Sequence, residues 1–209
     1  MTVSNIYLEP HRVRIQQDTV QYYASTGKPA ALVDSKTHVL PDAPVAVACR
    51  GLVHFSDYIE SALKPARSFD EAVALAETAY VVADFERADG KGFETTIAGV
   101  DANGTARAVV LWAPGDGSVT RTDLTPGSYL RPDLGDVAHL VKPDLDDERL
   151  FRVALVQQKV AHDNRLLMTV GGSCTVVEIT RDGVKEKVLG DYPGRSGIEA
   201  QLARREVAA

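Results

Sequence analysis

Ser35-Lys36-Thr37-His38-Val39-Leu40-Pro41-Asp42-Ala43-Pro44-Val45-Ala46-Val47-Ala48-Cys49-Arg50-Gly51 is the stretch from which the architecture of this chain is most readily read. Two short apolar runs, 37–40 and 45–49, flank a Pro-Asp-Ala-Pro turn and read as a pair of strands. In the second run Ala46 and Ala48 share one face while Val45 and Val47 share the other. That pattern fits a strand covered on both sides, since neither face carries a solvating residue. Arg50-Gly51 ends the strand part, and the pattern changes to helical.

Upstream, Thr2–Leu8 is short and apolar-rich, Glu9-Pro10-His11 turns the chain, and Arg12-Val13-Arg14-Ile15 alternates with period two. Ser25-Thr26-Gly27-Lys28-Pro29 reads as a turn or loop. Downstream, one helix is expected from about Ser56 to Leu63, stopping before Pro65. A second begins at the capping box Ser68-Phe69-Asp70-Glu71 and repeats apolar residues at Phe69, Val73, Ala76, Tyr80 and Ala83. Strands return at Phe93–Val100 and Ala106–Trp112, joined across Asn103-Gly104, a strong hairpin signal. Val119–Leu124 adds a third strand before a Thr125-Pro126-Gly127-Ser128 turn. A long helix over about Asp146–Asn164 is apolar on more than one side and is therefore expected to lie between layers. Cys174–Thr180 and Val184–Leu189 form a last hairpin across Asp182-Gly183. Blocks of strands alternating with blocks of helices argue for an α+β fold of antiparallel sheets and against a parallel βαβ sheet. The expected organisation is one domain over 1–191, with a C-terminal tail over 192–209 whose short helix docks or joins copies.

At 209 residues the chain is long enough for one domain with a substantial core. A net charge of −6 leaves no electrostatic footprint for nucleic acid or an anionic membrane. No run approaches the length of a transmembrane helix, and the N-terminus lacks the pattern of a signal peptide. Cys49 and Cys174 are isolated and read as buried thiols in a reducing, cytoplasmic setting. The five histidines have no metal-ligand spacing, and no phosphate-binding glycine loop is present, so no metal and no cofactor are expected.

Thr2 follows the initiator methionine. Removal of Met1 would put a hydroxyl and a free α-amine on one residue. An α-amine titrates near pH 7.7–8.0 (approximately) and is placed to take the hydroxyl proton during attack on a carbonyl. This start, Asp18-Thr19 at the end of the second strand, Lys36 before an apolar strand, Cys49-Arg50-Gly51 at a strand corner, and Gly171-Gly172 before a closing hairpin occur in a distinctive order. Together they resemble the N-terminal nucleophile hydrolases of the proteasome β-subunit type, over Thr2 to about Leu189. The wording of Gly27 to Gly51 is most similar to uncharacterised bacterial or phage-associated relatives.

The resemblance implies a four-layer αββα sandwich with two stacked antiparallel sheets. It implies Thr2 as nucleophile, Lys36 as the cation that lowers the amine pKa, Asp18 as its counter-ion, and the Gly51 amide as oxyanion donor, all around one pocket. It also implies a homo-oligomer and a peptide or amide substrate, in the cytoplasm or within a phage-like particle. Gln16, Gln17 and Val20 depart from the family pattern of small residues before the Asp and an Arg after it. The family's downstream acid and serine have no clean counterpart among Asp163, Thr169 and Ser128. Two functional readings follow: a threonine amidohydrolase or peptidase, and a catalytically silent assembly subunit of the same fold. Each residue also has a plain role open to it: Thr2 in a first strand, Asp18 with Lys36 as a structural ion pair, and Gly51 at a tight corner.

Overall fold

The computed structural model describes residues 3–23, 26–51, 53–83, 92–163 and 170–206. The chain opens with a hairpin of β1 (Ser4–Glu9) and β2 (Arg12–Asp18), then a short ribbon of β3 (Val20–Tyr22) and β4 (Pro29–Leu32). The stretch quoted first forms β5 (Thr37–Val39) and β6 (Val45–Arg50). Helices α1 (Val53–Leu63) and α2 (Phe69–Val82) follow. Next come β7 (Phe93–Val100), β8 (Ala106–Ala113), β9 (Thr120–Asp123) and β10 (Gly127–Tyr129). After a 3₁₀ turn over Gly135–Leu140 come α3 (Asp147–Asp163), β11 (Ser173–Thr180), β12 (Gly183–Asp191) and α4 (Arg195–Glu206).

Two five-stranded sheets, ordered β10-β1-β2-β11-β12 and β5-β6-β7-β8-β9, face each other, and all their neighbours run antiparallel. Their shared core is asymmetric. The first sheet contributes Ile6, Leu8, Val13, Ile15, Val177 and Ile179, and the second contributes mainly Ala46, Ala48, Ala98, Ala106 and Ala108. Large side chains on one sheet over alanines on the other let the layers interdigitate, and each fully buried Ile, Leu or Val contributes about 1.5–3 kcal/mol. The valines of β6 point the other way, where Val45 and Val47 meet Ile59 and Leu63 of α1 and Phe69 and Val73 of α2. The two-faced burial expected of 45–49 is present, with Val45, Ala46 and Val47 fully buried.

Two expectations are corrected. The four-layer αββα sandwich of two stacked sheets does not describe this chain, whose described residues form three antiparallel sheets. The third is the β3–β4 ribbon, with α4 against it, and β10 is a further strand where a turn was expected. Strands of three or four residues are too short to show a period of two, so loop residues around them dominate the local pattern. The long helix α3 does not lie between layers either. It buries only Leu150, Ala154, Gln157 and Ala161 and leaves Val156 about half exposed, at 48 %. It sits on the outer face of the first sheet, meeting Tyr7 and Val176 through Leu150 and Val3 and Cys174 through Ala154 and Ala161.

The start of α2 is as expected. Ser68 is its N-cap and accepts the Glu71 amide at 3.2 Å, while Glu71 Oε2 accepts the Arg67 amide at 2.7 Å. Ser68→Ala is expected to cost about 1 kcal/mol through loss of this cap. A urea titration would show it as a lower midpoint with an unchanged slope.

Candidate active site

Asp18 ends β2 and is wholly buried, so its carboxylate must find its partners within the protein. Its Oδ1 accepts the Val3 amide at 3.0 Å. Its Oδ2 accepts the Lys36 ammonium at 3.1 Å and the Val20 amide at 3.4 Å, and the Gly171 amide also donates to the carboxylate. Donors therefore reach Asp18 from the chain start, its own strand end, the residues before β5 and the approach to β11.

Lys36 precedes β5, and its side chain is 9 % exposed. Its neighbour Thr37 is anchored across the sheets by donating to Gln17 Oε1 at 2.8 Å. Burial pushes the Asp18 carboxyl up from its ordinary value and the Lys36 ammonium down, while their mutual attraction opposes both shifts. Each charge is sustained by the other, and the two titrate as a unit. A desolvated ammonium with a lowered pKa is the kind of group that acts on a neighbouring amine by like-charge repulsion.

Gly51 stands just past β6, exposed, at φ +138°, where L side chains are strained. A Cβ there would lie 2.5 Å from the Phe93 ring. Close approach and backbone conformation thus both require glycine at this corner. Asp18 and Lys36 are in direct contact, and Gly51 follows the end of β6, the strand that pairs with β5 from Thr37 onward. Thr2 lies outside the described residues, as does Thr169. Asp163 is exposed at the end of α3 and is bound by Lys159 at 2.6 Å. The Ser128 hydroxyl, on β10, is buried and has no hydrogen-bond partner among the described residues.

No family model matches the chain, and no curated protein matches it. A solved structure does: a mutant form of Anbu from Hyphomicrobium sp. strain MC1, 14 % identical, with a TM-score of 0.63 over 100 % of this chain and 97 % of that one. The chain shares its fold with this Anbu structure over its full length. This corrects the expected closeness to uncharacterised bacterial or phage-associated relatives, because a full-length likeness is found to Anbu of a Hyphomicrobium. Fourteen per cent identity carries the fold and no activity. Among the described residues no three His, Cys, Asp or Glu side chains gather as metal ligands, and no helix is long and apolar enough to cross a membrane.

Sequence reasoning missed how Gly171-Gly172 works. The Gly171 carbonyl accepts the Thr19 amide at 3.3 Å, and Thr19 Oγ1 accepts the Ser173 amide at 2.8 Å. The glycines let β11 close on Asp18-Thr19 and fix the carboxylate. The glutamines divide their work. Gln16 turns toward α3, accepting from Asn5 at 2.8 Å and Tyr7 at 2.9 Å and donating to the Leu150 carbonyl at 2.9 Å. Gln17 turns into the inter-sheet layer and holds Thr37 beside Lys36. Both cysteines are free, and burial pushes each thiol up to about 11, which keeps them protonated and unreactive near neutrality.

Proposed function

We propose that the chain is a proteasome-like amidohydrolase or peptidase, cytoplasmic and homo-oligomeric, with Thr2 as nucleophile once Met1 is removed. The observation that carries this reading is the position of the ion pair. Asp18 takes the Val3 amide with one oxygen and Lys36 with the other, which sets the pair against the residue next to Thr2.

In this reading the α-amine of Thr2 takes the hydroxyl proton as the oxygen attacks an amide carbonyl. The Lys36 ammonium lowers the amine pKa so that the amine is a free base near neutrality, and Asp18 holds Lys36 charged and in place. The Gly51 amide donates to the oxyanion, an interaction whose loss typically costs about 10²–10³ in rate. The amine then returns the proton to the leaving group, and water releases the acyl group from Thr2.

A second reading, a catalytically silent assembly subunit, is favoured by Asp163. The family's supporting acid would have to stand beside Thr2, whereas Asp163 is exposed and engaged by Lys159. One experiment separates the two. Intact mass of protein from its native host reports whether Met1 is gone, and a panel of generic amides is then offered to Met-free and Met-retaining forms. The Met-free form is expected to hydrolyse amides, and Thr2→Ala to reduce this by more than about 10³-fold with the fold intact. Equal activity in both forms would sink the mechanism, and a Met-free oligomer with no activity would establish the silent reading.

A further inference from the structure

The inter-sheet core is not filled where the β10–β1 edge of one sheet lies over β7, β8 and β9 of the other. A cavity of about 270 Å³ opens there. Its apolar walls are Ile6, Val110, Leu124 and Tyr129, and Ser4, Glu94 and Arg131 also border it. The volume falls just below the ~300–1,000 Å³ of small-molecule sites, which suits an occupant as small as one apolar side chain with its backbone. Ile6 belongs to the buried core, whereas Val110, Leu124 and Tyr129 only pack against it and stay partly exposed. Apolar surface is therefore held open at this mouth and not sealed by the protein's own side chains.

The charges bordering the cavity differ in how they are satisfied. Glu94 is neutralised by Arg50 at 2.9 Å. Arg131 is exposed, its guanidinium donates only to its own neighbour's carbonyl, Leu130, at 3.2 Å, and no carboxylate among the described residues pairs with it. Its main chain is nevertheless pinned. The Arg131 amide donates to Asn5 Oδ1 at 3.0 Å, and its carbonyl accepts the Ser4 amide at 2.9 Å. A cation on fixed backbone beside an unfilled apolar cavity is complementary to an apolar group that carries a carboxylate.

We infer that this cavity binds an apolar residue at the free C-terminal end of a peptide or N-acylated amino acid, with Arg131 holding the carboxylate. The inference deepens the proposed activity and rests on it in one respect. Ser4 is two residues from Thr2 in sequence, so the site makes short peptides cleaved close to an apolar C-terminus the substrate class. Binding itself does not depend on the chemistry.

The test uses full-length Thr2→Ala protein, titrated with N-acetyl-leucine and with neutral N-acetyl-leucinamide and followed by NMR shifts. The acid is expected to bind roughly tenfold more tightly than the amide, as for loss of a hydrogen bond to a charged group. Arg131→Gln is expected to erase that preference. Val110→Phe, which fills the cavity, is expected to abolish binding of both, and if it does not fold, Arg131→Gln on an exposed residue still decides the matter. Equal affinity for acid and amide, no binding of either, or binding that survives a folded Val110→Phe would overturn the proposal. Selective binding by a protein whose Met-free form hydrolyses nothing would uphold the site and sink the activity. Amide hydrolysis with no preference for the acid would do the reverse.

Discussion

Lys36→Met is expected to cost about 3–5 kcal/mol of folding stability, because it leaves the Asp18 carboxylate buried without its counter-ion. The amides of Val3, Val20 and Gly171 still point at the carboxylate and limit the loss, but they supply no net charge. Asp18→Asn, the reciprocal change, removes the carboxylate that faces the Lys36 ammonium instead. The two variants should respond to pH in opposite senses. Asp18 has its folded pKa raised by burial, so the folded state holds that proton more tightly than the unfolded chain. The penalty in Lys36→Met is therefore full above the raised pKa and fades as pH falls toward the ordinary carboxylate value. Lys36 has its folded pKa lowered by burial, so the penalty in Asp18→Asn is full below that lowered value and fades as pH rises toward the ordinary lysine value. The double variant removes both charges and is expected to be more stable than the sum of the single losses, by about 1–3 kcal/mol of coupling. Urea unfolding of all four proteins between acid and alkaline pH checks this. Single variants with parallel pH profiles would show that the charges are not what burial makes costly here.

The same pair shows how far the sequence reaches. The β5–β6 hairpin, the cap of α2 and the β7–β8 hairpin are legible because their signals are local: alternation, a serine three residues before a glutamate, an Asn-Gly turn. Asp18 and Lys36 carry no local signal, since eighteen residues and a ribbon separate them. Only the resemblance of their order to that of the N-terminal nucleophile hydrolases led to the expectation that they meet. Gln16 and Gln17 looked like a departure in a pocket because a buried amide is satisfied by partners far along the chain, at Leu150 for one and Thr37 for the other. The excess of apolar residues on α3 misled for a different reason. Val156 adds to the apolar count of the helix, but a helix on the outside of a sheet buries one stripe and leaves Val156 about half exposed. The unfilled mouth of the inter-sheet core, between strands that are distant in sequence, had no signature at all.

Gly172→Ala is expected to destabilise the protein by about 2–5 kcal/mol, and the size of the loss reports how tightly Asp18-Thr19 is clamped. Gly172 has φ +74°, a left-handed conformation that costs a residue with a Cβ about 1–2 kcal/mol. The added methyl would also lie 2.4 Å from Thr19 Oγ1, 2.9 Å from Leu32 Cδ2 and 3.1 Å from Val20 Cγ2. Leu32 has room to adjust along its side chain. Thr19 does not, because the same oxygen accepts the Ser173 amide and its backbone is held by Gly171 and Val33. Crowding of this kind adds about 1–3 kcal/mol. Gly135 supplies the control, with φ +62° and nothing within contact of an added Cβ, so Gly135→Ala should show the backbone cost alone. Denaturant midpoints of the two variants separate the terms. A Gly172→Ala protein that loses no more than Gly135→Ala would mean that Thr19 moves aside freely. In that case the β11 approach would not fix the Asp18 carboxylate, and the alignment of Lys36 against the chain start would rest on the Val3 and Val20 amides alone.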